Sequence, residues 1–257
     1  YSRCANPTRA YLEDTIALLE GGRAGFAFST GLAAVLAVFS LLKSGDHVVI
    51  SDDVYGGTYR QISELWENLG IAFDAVDIGD TDAVCACIRP NTRLIYAETP
   101  TNPMMKVADI AALADIAHKN HALLAVDNTF LTPVFARPLE HGADIVLHSG
   151  TKYLSGHHDT MAGLVVANDE KIIDRLSLIE RTEGTGLSPF DCFLVLRGVQ
   201  TMELRMEKAM KNAMALARAL EGCGAVTRVH YPGLESHENH VLARELLHGG
   251  FGAMLSF

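Results

Sequence analysis

The sequence predicts a doubly wound α/β domain on a mainly parallel sheet, and three observations predict it. Apolar runs of strand length alternate with helix-period segments along most of the chain. Polar residues gather just after the strand-like runs, where open sheets of this kind bind ligands. Nearly half of the 257 residues are apolar, enough to build a large core.

The elements follow in order. AGFAF (Ala24–Phe28) reads as a buried strand and precedes an apolar helix over Leu32–Leu42. HVVIS precedes a helix near Tyr59–Leu69, and IAFDAV precedes a short one around Ala83–Ile88. RLIYAE precedes a helix around Ile110–His118; ALLAVD, ADIVLH and AGLVVA (Ala162–Ala167) read as further strands. Gln200–Gly222 has apolar residues at three- and four-residue spacing and a glycine stop, so it reads as one long helix. AVTRVHYPG then looks like a strand leaving the main domain, and GGFGAMLSF like the first strand of another. The division expected is a large domain over 1–222 and the start of a smaller one over 223–257. An opening without methionine or signal-peptide pattern suggests part of a longer protein.

Composition excludes several classes. A formal net charge of -10 argues against a nucleic-acid surface, which needs a basic footprint. No apolar run reaches the roughly 20 residues of a membrane helix. Five scattered cysteines, with Cys85 and Cys87 lacking a second pair, fit reduced thiols in the cytoplasm better than zinc or disulfides. Neither a GxGxxG fingerprint nor a GxxxxGK[ST] loop occurs.

Four features carry chemistry. Lys152 sits near the end of a strand-like run, in LHSGTKYLSGHHD. An amine desolvated there loses basicity, and a neutral amine forms an imine with an aldehyde. Asp127 directly follows ALLAV, where a carboxylate can pair with a protonated ring nitrogen and keep that ring an electron sink. Ser29, Thr30 and Gly31 open an apolar helix, so the amides of Gly31 and Leu32 would face an anion. Ser149 and Thr151 alternate around Gly150 and can present both hydroxyls to one side. Tyr55, in VYGGT, offers a ring, with Gly56 and Gly57 allowing close approach. Each has an ordinary alternative taken singly: a snorkelling lysine, a loop-capping aspartate, a plain helix cap. Together they are the parts that pyridoxal 5'-phosphate (PLP) needs.

With these residues in view, the sequence resembles the transsulfuration (Cys/Met metabolism) family of PLP-dependent enzymes: cystathionine γ-synthase, cystathionine β- and γ-lyases, methionine γ-lyase and the acylhomoserine sulfhydrylases. YSRCANPTR, FSTGLAA, GDHVVISDDVYGGTYR, ETPTNPMMKVADI, VDNTF, LHSGTKYLSGH, SPFDCFLVLRGVQT and YPGLESH occur in the family's order. The resemblance implies a PLP fold type I large domain, like that of aspartate aminotransferase, with a mostly parallel seven-stranded sheet and helices on both faces. It implies that Lys152 holds the cofactor and shuttles protons, that Asp127 pairs with the ring nitrogen and that Tyr55 stacks on the ring. Gly31 and Leu32 amides, with Ser149 and Thr151 hydroxyls, would take the phosphate; Leu32 replaces a common methionine at what is a backbone contact. Asn102 would lie near the cofactor's phenolic oxygen and the substrate carboxylate. Tyr1 and Arg3 would reach a neighbouring subunit's phosphate, so active sites would be shared across a dimer within a homotetramer. His158, where the family has a small polar residue, receives no role. The family continues past Phe257 into a smaller domain that carries a substrate-binding arginine, and it also begins before Tyr1.

The activity expected is elimination by a carbon–sulfur lyase from cystathionine or a related thioether amino acid. Gly57 favours this over methionine γ-lyases, which usually have a cysteine there. The alternatives are γ-replacement, as in cystathionine γ-synthase or the sulfhydrylases, an aminotransferase, and a catalytically silent assembly module. A dehydrogenase is disfavoured by the missing glycine fingerprint.

Overall fold

The computed structural model describes residues 1–257. The seven strands are β1 (Ala24–Phe28), β2 (His47–Ser51), β3 (Ala72–Val76), β4 (Thr92–Glu98), β5 (Leu123–Asp127), β6 (Ile145–Ser149) and β7 (Gly163–Ala167). They form one sheet in the order β1-β7-β6-β5-β4-β2-β3. All pairs from β3 through β6 are parallel, while β7 runs antiparallel to both β6 and β1. The mostly parallel seven-stranded sheet is therefore present.

Helices cover both faces because the strands are apolar on both. Within β5, Ala125 joins the core that includes α2 (Gly31–Phe39) and α7 (Glu170–Glu183). Its neighbours Leu124 and Val126 join the core beneath α5 (Ile110–Lys119) on the other side, as the two-residue strand period requires. A third core lies between β7 and the helices α1 (Pro7–Glu20), α8 (Pro189–Val199) and α9 (Met202–Glu221). Local sequence sets the helix ends. Asn6 caps α1 by accepting from the amides of Thr8 and Arg9, Pro7 takes the first helical position, and Gly21 stops the helix in the left-handed region.

The helix expected near Tyr59–Leu69 is present, but not as a single α-helix. A short α3 (Gly56–Gln61) widens into a π turn at Ile62–Trp66 and tightens into a 3₁₀ turn at Glu67–Leu69. The wide turn sets Ile62 and Trp66 against the same core. Two expectations fail: the strands expected at 225–233 and 249–257 do not form. These segments meet only at one antiparallel bridge between His230 and Ser256, with no third strand to extend it. Instead Val229, Tyr231 and Leu234 pack onto Ala213 and Ala217 of α9. No helix is long and apolar enough to cross a membrane.

Candidate active site

The carboxyl ends of β1, β2, β4, β5 and β6 meet through a chain of close contacts. At the first corner stands α2. Thr30 caps it, accepting from the Ala33 amide at 3.0 Å, and the amides of its first turn have no partner within the helix. Gly31 is required by crowding: a Cβ there would lie 2.9 Å from the Ser149 Cβ and 3.0 Å from its Oγ. Gly163, at the start of β7, is required by the same corner, since a Cβ would meet the Thr30 carbonyl oxygen at 2.0 Å. Bare backbone, an open helix start and the Ser149 hydroxyl thus share one spot.

From Ser149 the contacts run to Asp127. The Ser149 amide donates to Thr129 Oγ1 at 2.8 Å. Thr129 donates twice to Asp127 Oδ1, from its hydroxyl at 2.5 Å and its amide at 3.0 Å. Tyr96, fully buried in β4, approaches Asp127 Oδ2 with its hydroxyl at 3.4 Å. Asp127 is half-buried. Burial pushes its carboxyl above the ordinary value, while the Thr129 bonds and the nearby His148 pull it back. The site therefore holds a carboxylate that is short of a countercharge.

On the far side lies Tyr55, exposed at the start of α3. Its amide donates to the buried Glu98 Oε2 at 2.8 Å. Its ring covers Gly57, where a Cβ would meet Tyr55 Cε1 at 2.4 Å and Leu32 Cδ2 at 3.1 Å. This ties the Tyr55 loop to the start of α2. Gln61 does so again, donating to the Leu32 carbonyl at 2.8 Å.

Lys152 falls three residues beyond β6 in a turn closed by the Ser155 amide on Gly150 O and the Gly156 amide on Lys152 O. Its side chain is exposed. The desolvation expected of a lysine at a buried strand end is therefore not provided by this chain's own side chains. Thr151 also differs from expectation. The strand ends at Ser149, so the alternation that would align the two hydroxyls stops there. Thr151 Oγ1 instead accepts from the Ala162 amide at 3.1 Å and contacts its carbonyl at 3.3 Å.

Asn102 is exposed in the loop after β4, its amide 3.4 Å from the Asp53 carbonyl. Tyr1 and Arg3 make no hydrogen bond to Asp127, Ser149, Thr151 or Lys152. Both are exposed, with the Arg3 guanidinium over the Tyr1 ring and bonded to the Arg181 carbonyl at the end of α7. His158 faces solvent.

Sequence reading missed the supports. Glu98 was visible only as a polar residue after a strand; nothing marked its carboxyl as Asp127's neighbour. Glu20, at the end of α1, is fully buried and accepts from His148 Nε2 at 2.6 Å and Asn128 Nδ2 at 3.0 Å. It thereby locks the residue after Asp127 to the residue before Ser149. Arg205 of α9 bonds the carbonyls of Tyr153 and Gly198 at 2.8 Å and lies against Leu154 O at 3.4 Å, pinning the Lys152 turn. These partners are distant in sequence and carry no motif.

An anion cradle made of bare backbone, a half-buried carboxylate with no cation bonded to it and an exposed aromatic ring and amine fit a phosphorylated cationic aromatic aldehyde. The comparisons agree. The Cys/Met metabolism PLP-dependent enzyme family matches residues 1–257. The chain is 50% identical over 257 residues to a cystathionine γ-lyase of Bacillus subtilis, covering all of this chain and 68% of that one. It is 48% identical to a cystathionine β-lyase of Lactococcus lactis, covering all of this chain and 67% of that one. The crystal structure of cystathionine γ-lyase from Lactobacillus plantarum complexed with L-serine superposes with a TM-score of 0.97 at 44% identity, over 99% of this chain and 67% of that one.

Proposed function

The chain belongs to the Cys/Met metabolism PLP-dependent enzymes, and we propose that it eliminates a thiol from cystathionine or a related thioether amino acid. It is a PLP-dependent carbon–sulfur lyase of sulfur amino acid metabolism, in keeping with the lyases at 48% and 50% identity. The observation that carries the site assignment is Asp127, a carboxylate with three donors but no cation, at the end of a central strand.

PLP, when bound, supplies an aldehyde and a positively charged ring that withdraws electrons from the amino acid's Cα. Asp127 would keep the ring nitrogen protonated, with Thr129 fixing the carboxylate's direction. Tyr55 would cover the ring face, and Glu98 would hold the Tyr55 backbone. The Gly31 and Leu32 amides and the Ser149 hydroxyl would bind the phosphate, with Thr151 bracing the turn behind them. Lys152 would hold the aldehyde carbon covalently through Nζ. Freed by the substrate's amine, the same Nζ would take the Cα proton and deliver one to the departing sulfur. Asn102 would face the substrate carboxylate.

We further propose that Tyr1 and Arg3 complete the phosphate site of a neighbouring subunit in a dimer within a tetramer. Their exposure supports this, as do the exposed Tyr11, Leu18, Phe190 and Phe193 on α1 and α8. Residues 1–222 would form the cofactor domain, and 223–257 would begin a smaller one. Five unpaired cysteines suit the cytoplasm.

The test is product analysis with cystathionine on the full-length enzyme. Pyruvate or 2-oxobutyrate, with release of a thiol amino acid, is the expected result. If instead cystathionine is formed from an acylated homoserine and cysteine, with no keto acid from cystathionine, the enzyme is a γ-synthase and the lyase reading fails.

A further inference from the structure

Glu98 is only 7% exposed, and its carboxyl has no counterion. Glu98 and Asp127 are register partners on the parallel strands β4 and β5. Their side chains therefore leave one face of the sheet from strands about 4.8 Å apart. The two acids are not equally served. Asp127 receives both Thr129 donors and the Tyr96 hydroxyl. Glu98 receives one donor, the Tyr55 amide. The charged neighbours of Glu98 are Asp127 and Asp53, both acidic; Tyr96, also on that face, is a buried neutral phenol. Two adjacent carboxylates, one buried and one half-buried, with no cation between them do not both ionise. Donor count assigns the charge to Asp127 and the proton to Glu98.

We propose that Glu98 is a positioning residue that works as a neutral carboxylic acid. Its carbonyl oxygen fixes the Tyr55 backbone, and its neutrality leaves Asp127 as the single negative charge presented to the ring nitrogen. This rests on the assignment of Asp127 and Tyr55 as cofactor contacts. Burial, and next the charge of Asp127, push the Glu98 carboxyl well above the usual carboxylate range; the Tyr55 amide pulls the other way.

The test uses the full-length protein and the variants Glu98→Gln and Glu98→Leu. Glutamine keeps a neutral acceptor for the Tyr55 amide, whereas leucine removes the acceptor. Glu98→Leu should weaken equilibrium PLP binding about tenfold, and Glu98→Gln should recover most of that loss. Infrared difference spectra of the apoprotein at neutral pH should show a carboxylic-acid carbonyl band that Glu98→Gln removes. The proposal is overturned if Glu98→Gln binds as weakly as Glu98→Leu, if Glu98→Leu binds like the parent, or if no acid band is lost. Asp127→Asn, titrated in parallel, separates the two readings. Parent-like PLP affinity and cofactor absorbance in that variant would refute the Asp127 assignment, whatever Glu98 does.

Discussion

Two pairs of acids lie in this fold, each with one buried and one half-buried member, and only one comes with a counterion. Glu13 and Glu180 flank Arg9, whose Nε lies 3.4 Å from one carboxylate and 3.1 Å from the other. The same guanidinium bonds the carbonyls of Ser2 and Arg3 at 2.9 Å and 3.3 Å. Glu98 and Asp127 stand side by side with no such cation. The first pair is balanced from within the chain and serves as a fastener between α1, α7 and the N-terminal segment. The second waits for charge from outside, as a ligand site does. An acidic residue thus reveals its task less by its burial than by where its countercharge comes from.

The sharpest test of the difference is to remove one acid or cation from each cluster. Asp127→Ala should cut kcat by about 10² to 10³, the usual cost of losing one preorganised electrostatic partner. It should leave the denaturant midpoint at or above that of the parent, because it removes an unbalanced, half-buried charge. Arg9→Met should do the reverse. It strands two carboxylates and should cost about 3 to 5 kcal/mol of stability in chemical denaturation. Equal destabilisation by the two substitutions would erase the distinction.

The contrast also has a pH signature. Burial and the charge of Glu180 push Glu13 from its ordinary value near 4.5 up to about 7, although the Ala27 amide and Arg9 oppose this. The folded state then binds more protons than the unfolded state between those values, so stability falls as pH rises through that window. The full loss, about 3 kcal/mol by linkage, is reached above about 7. Glu13→Gln should flatten the denaturation midpoint between pH 4.5 and 7. A slope unchanged from the parent would show that Glu13 titrates normally.

These two clusters also show what a sequence discloses. The strands were readable because apolar runs of five or six residues between turn signals have few other uses. Lys152, Asp127, Tyr55 and Gly31 could be picked out because each stands at a strand end in a local setting unusual for its type. Arg9 lay within the quoted ANPTR block, but its clasp on Glu180 spans most of the chain, and no local pattern encodes that. Glu98 was hidden for a related reason: its meaning comes from strand register, which places it opposite Asp127. The tail was misread because residues 225–233 and 249–257 have strand-like composition, yet strand formation depends on a partner ladder and only one bridge is available.

The smallest effect concerns the residue that joins the two ends of the cluster. Thr129 Oγ1 donates to Asp127 and accepts from the Ser149 amide, so one hydroxyl would couple the proposed ring-nitrogen contact to the proposed phosphate contact. Thr129→Val keeps the shape and the Thr129 amide bond to Asp127 but removes both hydroxyl contacts. Each hydrogen bond contributes about 1 kcal/mol, and somewhat more where one partner is charged. Turnover should therefore fall about tenfold, well short of the Asp127→Ala loss, and PLP should also bind more weakly because the Ser149 amide is left unpaired. Thr129→Ser restores the hydroxyl and should recover both quantities. If serine fails where threonine works, the methyl group rather than the hydroxyl holds the strand ends together, and the uncompensated charge on Asp127 is steered by packing alone.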